Sequence, residues 1–332
     1  MDPLTHALAG ATLAWAATGR HLGRRALLIG GAAALLPDLD ILIRSAADPL
    51  LAIEHHRGFT HSLLLIPIGG LLAALPFLPR TDPTQRRRTI LAATLAYASH
   101  PLLDAATTYG TQLYWPFSRT RVGLDIISII DPLFTALLLI ATIAALTARK
   151  RLVPIALTLA LTWLTIGYLQ RERASALQTQ LATQRRHPVH RGAVFPTVGN
   201  TIIWRSIYQT GNTLHLDRLR IPWRGTPTHA PIATLPLVPA GNDPHRDLHR
   251  FAWFSDHWLA RDPADPTVIG DARYSLHTDH YEPVWGIRLD PGAHPPTEWV
   301  DRSRQRRAGM RQLWGEIRGE DAAYRPLRSG EG

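Results

Sequence analysis

There is no cysteine among the 332 residues. A disulfide framework and a thiolate zinc site are therefore both excluded, and any metal would have to be held by His, Asp or Glu. A basic leader is missing too: the chain opens MDPLTHALAG, and its first positive cluster follows the first apolar run instead of preceding it, so no cleavable signal peptide is expected. A continuous basic stripe is also lacking. The net charge is +10, but the positive residues, almost all arginine, sit in short clusters between apolar blocks. That pattern belongs to membrane topology, and no nucleic-acid partner is expected. Internal repeats and long low-complexity runs are absent as well.

What is there changes character near Leu169. Before it, apolar segments occupy roughly 4–18, 26–43, 63–79, 90–106, 132–148 and 152–169. Several are close to the short end of what crosses a bilayer core of about 30 Å. The clusters His21 to Arg25, Arg80 with Arg86 to Arg88, and Arg149 to Arg151 separate them, and the positive-inside rule places all three in the cytoplasm. The expectation is an α-helical multi-pass membrane bundle, with six crossings over residues 1–170. His6, Asp38, Asp40, His55, His56, His61, His100, Asp104, Asp125 and Asp131 then gather at the outer ends, and the C-terminal part lies on the extracytoplasmic side.

After Leu169 come arginine, proline, histidine and seven of the ten tryptophans. A polar helix over 174–187, inside a linker of 171–194, leads to a small, mainly antiparallel β domain over 195–295, giving an α+β chain. TIIWRSIYQT and TLHLDRLRI alternate as a hairpin about Gly211 and Asn212, and FAWFSDHWLA, TVIGDARYSL and VWGIRLD continue the strand pattern. The tail, 296–332, carries Trp299, Met310, Leu313, Trp314 and Ile317 among arginines and reads as an amphipathic helix on a membrane surface. The domain's histidines, His277 and His280 among them, show no paired spacing that singles out a second metal site, and most read as surface residues.

The chemistry concentrates in four motifs. HHRGFTHS, residues 55–62, puts His55, His56, Arg57 and His61 before an apolar helix, with Gly58 permitting a tight turn; single histidines at an interface are commonly only hydrogen-bonded, but three in a cluster suit a polar pocket. In SHPLLDAATTYG, His100 and Asp104 are four apart on a helix, about 6 Å apart at Cβ, and can grip one ion or simply orient each other. In LLPDLDILI, Asp38 and Asp40 follow the helix-breaking Pro37 and repel unless a cation or proton lies between them or both are solvated. His6, in PLTHALAG, sits in a small-residue neighbourhood suited to close helix packing. Asp131 before Pro132 is a candidate N-cap, which leaves Asp125 as the pocket candidate in that stretch.

PLTHALAG, PDLD, HRGFTHS and SHPLLDAATTYG, followed by WPFS and IIDPL, resemble the YdjM family of inner-membrane proteins, described as membrane-bound metal-dependent hydrolases. The resemblance covers about residues 1–170, and VGNTIIWRSIY, RFAWFSD and GDARYSL are similar to a C-terminal domain appended in many members. More remotely, the His-x-x-x-Asp helix is similar to that of zinc-dependent phospholipases C and related nucleases, which implies a helical multi-zinc site acting on phosphoesters. By that comparison His100 and Asp104 match the helical ligand pair, and His6, Asp38 or Asp40, and His61 would supply further ligands, with His56 beside them. The tryptophan those enzymes use as a ligand at the extreme N-terminus has no counterpart here.

The expected activity is hydrolysis by water activated on a divalent ion, Zn2+ by preference, with its pKa lowered toward about 7. Asp40 or Asp125 would be the general base, and Arg57 would hold an anionic group. A site at a bilayer surface implies a lipid or lipid-linked ester or phosphoester as substrate. The family is also labelled as binding the LexA repressor, which implies a rival reading as a non-catalytic membrane scaffold with a protein partner. A transporter would need a polar path through the bilayer, and the polar groups lie at one end only.

Overall fold

The computed structural model describes residues 1–147, 149–241, 245–290, 292–305 and 307–327, with backbone only for 307–310. Two compact units emerge: Met1–Ile43 with His55–Tyr168, and Arg44–Glu54 with Leu169–Gly332.

The first unit is helical. α1 (Pro3–Leu22) is started by Asp2, whose carboxylate accepts from Thr5 N at 3.0 Å, with proline at the first helical position. α2 (Arg25–Leu35) ends before Pro37, where the chain tightens into a 3₁₀ turn, Pro37–Leu42, bearing both aspartates. The short α3 (Leu51–His55) and a 3₁₀ turn, Phe59–His61, carry the histidine motif; α4 (Ile66–Ala74) and α5 (Arg86–Ala105) follow. α6 (Pro132–Leu146) is capped by Asp131, which accepts from Phe134 N at 2.9 Å and from Trp163 Nε1 at 3.0 Å. The core is built largely of alanine, with Ala14, Ala26, Ala34, Ala92 and Ala96 fully buried. Small residues let α1 and α2 nearly touch: a Cβ on Gly30 would lie 2.3 Å from the Gly10 carbonyl oxygen.

Six crossings are not what these helices provide. Among the described residues only α7 (Leu152–Gln184) is long and apolar enough to span a bilayer, or two spans exist if the bent pair Leu51–His61 and Leu63–Ala74 counts as one. The expected segment 26–43 is cut by Pro37, 63–79 yields a nine-residue helix, and 132–148 a fifteen-residue one. The expectation that the polar cluster faces outward rested on those six crossings and loses that basis. Apolar side chains nevertheless cover the outer faces: Ile68, Leu72, Ile140, Ile143, Leu159 and Leu161 are all exposed.

The second unit is α+β. The C-terminal part of α7 continues past residue 169 without a break, since neither proline nor glycine interrupts it before Gln184. Its Ala174, Leu177 and Leu181 pack on Val194, Trp204 and Leu219 of an antiparallel sheet. That sheet orders β1 (Arg191–Pro196), β2 (Ile203–Thr210), β3 (Thr213–Arg220), β4 (Thr228–Pro236) and β9 (Arg325–Pro326) side by side. Thr210 pairs with Thr213 across the Gly211–Asn212 turn, as expected. FAWFSDHWLA is not mainly strand: α8 (Arg246–Phe254) takes its first half, burying Phe251, Ala252 and Phe254 on one face. A four-stranded sheet holds β5 (Leu259–Arg261), β6 (Val268–Asp271), β7 (Trp285–Leu289) and β8 (Thr297–Asp301). Trp299 thus lies in a strand, and the tail helix is α9 (Arg307–Arg318), whose Leu313 is buried while Trp314 is exposed. The Met310 side chain lies outside the described residues.

Within this unit Arg250 of α8 grips the segment that interrupts the first unit. Its guanidinium binds Asp48 through two nitrogens at 2.8 and 3.0 Å and Glu54 at 2.9 Å, with Asp247 at 3.0 Å.

Candidate metal centre

α5 presents His100 and Asp104 on one face, both fully buried. Pro101 between them has no N–H to donate to the Tyr97 carbonyl within the helix. The Tyr97 hydroxyl donates to Thr60 O at 2.6 Å, which ties the histidine motif to the helix. His100 Nδ1 lies 2.6 Å from the carbonyl oxygen of Ala34, the last turn of α2, so Nδ1 carries the proton and Nε2 keeps its lone pair. His61 is set the same way, with Nδ1 3.2 Å from Asp40 Oδ2 and 2.9 Å from the Thr60 hydroxyl.

Asp104 divides its two oxygens. Oδ1 accepts from Arg57 Nη2 and His6 Nε2, each at 3.0 Å, and from the Met1 amino group. Oδ2 has no hydrogen-bond partner, and neither have His61 Nε2 and His100 Nε2, although all three are buried. These atoms face one another: Oδ2 is 3.3 Å from His100 Nε2 and 3.4 Å from His61 Nε2. Asp38 Oδ1 completes the group at 3.2 Å from His100 Nε2 and 3.7 Å from His61 Nε2. Ligands about 2.1 Å from a tetrahedral zinc ion stand about 3.4 Å apart, so the separations are those of a first coordination shell. Leaving buried polar atoms unpaired costs about 1–3 kcal/mol each, which a cation would offset. The donor set fits the ion.

A second convergent group, Asp38, Asp40 and His56, shares Asp38 with the first. Asp40 is heavily engaged, accepting from His56 Nδ1 at 2.7 Å, Arg57 N at 3.0 Å and Thr60 Oγ1 at 2.6 Å. Burial alone would raise the Asp40 carboxyl, but the hydrogen bonds from His56 and His61 outweigh it and hold it well below the usual carboxylate range. Asp38 and His56, at 26% and 21% side-chain exposure, are the ligands that face solvent.

His6 sits behind the group, its ring stacked on that of His100 at 3.6 Å. Arg57 has a left-handed backbone, φ 62°, which lets its N–H reach Asp40 while its guanidinium reaches Asp104 and Thr107 Oγ1. Its planar face lies on the Tyr109 ring, 4.6 Å from the centroid. Arg121 stacks on the same ring and ties the loop together by donating to the carbonyls of His56 and Gly110. His55 contributes its carbonyl to the turn at Gly58, and Asp125 belongs to neither convergent group. Sequence reasoning passed over Thr60, Tyr97 and the Ala34 carbonyl. Thr60 stood in the HRGFTHS motif, but the other two carry no local signal.

A helical unit with a buried His/Asp group that could hold a metal ion and an apolar outer face is the profile of a membrane protein class. Within that class the chain belongs to the YdjM inner membrane protein family, whose model matches residues 1–174. The chain is 31% identical over 145 residues to the uncharacterized protein YfhP of Bacillus subtilis (strain 168), covering 40% of this chain and 42% of YfhP. It is 32% identical over 121 residues to the inner membrane protein YbcI of Escherichia coli (strain K12), covering 36% of this chain and 69% of YbcI. The chain thus spans less than half of the first of these relatives. No solved structure matches it.

Proposed function

We propose that this is a membrane-bound metal-dependent hydrolase, acting on an ester or phosphoester of a lipid or lipid-linked substrate. The observation that carries the reading is the convergence of three buried, unpartnered atoms, His61 Nε2, His100 Nε2 and Asp104 Oδ2, with Asp38 Oδ1 at coordination spacing. A divalent ion held there by His61, His100, Asp104 and Asp38, Zn2+ by the mixed nitrogen and oxygen donors, would supply water activation and polarisation of the scissile group. Asp38 is common to both groups, so it would help hold an ion in either.

The residues around the ion divide the remaining work. Asp40 fixes the tautomer and direction of His61 and His56, which favours it as an orienting residue over a free base. Arg57 neutralises Asp104 and leaves its buried Nε as the donor for an anionic group. Asp38 and His56 face solvent, so a substrate approaches from their side. The apolar outer faces of α4, α6 and α7 support insertion of the first unit in lipid. Arg149, Lys150 and Arg151 ahead of α7 favour an extracytoplasmic C-terminal unit.

The test is metal content together with hydrolysis of phospholipid and phosphodiester probes by detergent-purified protein, wild type beside His61→Ala and Asp104→Asn. Bound metal and turnover that both vanish in the variants support the reading. Metal bound without turnover of any probe would leave the scaffold role, with a LexA-type protein partner, as the better account.

A further inference from the structure

The second unit holds another cluster that the metal centre does not use. The chain from Ser275 to Pro283 folds back on itself: those two residues form an antiparallel bridge, and Leu276 N donates to Glu282 O at 2.9 Å. The Ser275 hydroxyl staples the turn, donating to His280 O at 3.0 Å and accepting from Glu282 N at 3.0 Å. Arg205, buried in β2, donates from Nη2 to His277 O at 3.0 Å. The backbone is therefore pinned at His277, at His280 and at Glu282.

Their side chains meet. The two imidazoles stack with centroids 4.2 Å apart, and Glu282 Oε2 stands 3.4 Å from His277 Nε2. One ligand atom from each residue lies within 4.8 Å of the other two. The far sides of two of them are already occupied: Asp279 Oδ1 holds His280 Nδ1 at 2.7 Å, and Arg302 Nη1 lies 3.4 Å from Glu282 Oε1. That leaves His280 Nε2 and Glu282 Oε2 for a shared partner, the arrangement by which outer groups orient the ligands of a metal. All three side chains are partly exposed, so solvent could fill the remaining coordination positions.

We propose that His277, His280 and Glu282 form a second, solvent-facing site for a divalent transition-metal ion of the zinc or copper type, held by two imidazoles and one carboxylate. The donor set suits these ions and disfavours magnesium or calcium, which prefer oxygen. The site lies in a unit the metal centre does not include, and its ligands are none of those assigned to hydrolysis.

The experiment titrates metal-stripped, full-length protein in detergent with Zn2+ by calorimetry, and with Cu2+ by electron paramagnetic resonance. Four forms are compared: wild type, His277→Ala, Glu282→Gln and His61→Ala, each checked by circular dichroism for wild-type secondary structure. The expected result is a binding class at least tenfold weaker in His277→Ala and in Glu282→Gln but intact in His61→Ala, with imidazole nitrogen coupling in the Cu2+ spectrum that His277→Ala diminishes. Zn2+ isotherms of His277→Ala and Glu282→Gln that superimpose on the wild type would overturn the proposal. A failure of that kind leaves the His61 result standing on its own, so the two sites are judged separately.

Discussion

His100 points its Nδ1 at the carbonyl oxygen of Ala34, 2.6 Å away. The ligand belongs to α5 and the carbonyl to the end of α2, so the packing of two helices chooses which imidazole nitrogen is free for a cation. Ala34 is released from helical pairing because α2 stops at Pro37, and that same proline starts the turn bearing Asp38 and Asp40. One helix break therefore shapes the setting of His100, Asp38 and Asp40.

Replacing Asp40 by Asn should weaken metal binding about 10–100-fold without unfolding the unit, because the change loosens His61 and His56 and removes no atom of the buried group itself. Competition with a chelator of known affinity measures it. An affinity equal to the wild type would show that Asp40 plays no orienting part.

Gly30→Val should destabilise the first unit by about 1–3 kcal/mol or more, since its Cβ would meet the Gly10 carbonyl oxygen at 2.3 Å. Thermal unfolding in detergent gives the number. Separation of α1 from α2 also moves His6 and Ala34, so metal retention should fall in the same variant.

Hydrogen bonding to Arg250 is the main reason the Asp48 carboxyl is held below its ordinary 3.8, with Arg246 adding to it and slight burial opposing. A depressed carboxylate stabilises the folded state above its unfolded value, and the gain disappears as pH falls toward the lowered one. The melting temperature of the wild type should therefore drop more between pH 6 and pH 3 than that of Asp48→Asn. The partial exposure of Asp48 keeps the difference small; curves that run parallel would exclude the linkage.

α7 should anchor the chain. Leu159→Arg with Leu161→Arg puts two charges on its exposed apolar face, and each costs about 2.5–3.5 kcal/mol at the centre of a membrane helix. Carbonate extraction should move the variant toward the soluble fraction; full retention would mean that the rest of the first unit suffices.

Much of the convergent group could be read from the chain because candidate ligands announce themselves: His100 and Asp104 by their four-residue spacing, Asp38 by its place after Pro37. The partners that aim them are harder to see, since a backbone carbonyl such as that of Ala34 has no sequence signature. Asp131 as a cap and the turn at Gly211 were legible because local geometry dictates them. The six crossings were not sound, because hydropathy does not register where Pro37 or Gly69 and Gly70 shorten a helix or draw it against a neighbour. FAWFSDHWLA misled for a related reason: a short run of aromatics suits a buried helix face as well as a strand. The approach of His277 to His280 and Glu282 depends on a turn closed by Ser275, a tertiary detail that spacing does not encode.

Residues 44–54 belong to the second unit, yet in the chain they lie between Asp40 and His56. Each unit is therefore discontinuous in sequence. A single cut after α7 would leave Asp48 and Glu54 without Arg250, and the strand of chain joining two ligand-bearing turns would lose its tether. A fragment prepared that way should not be taken as the intact first unit, and an exchange of C-terminal domains between relatives would have to carry this loop along.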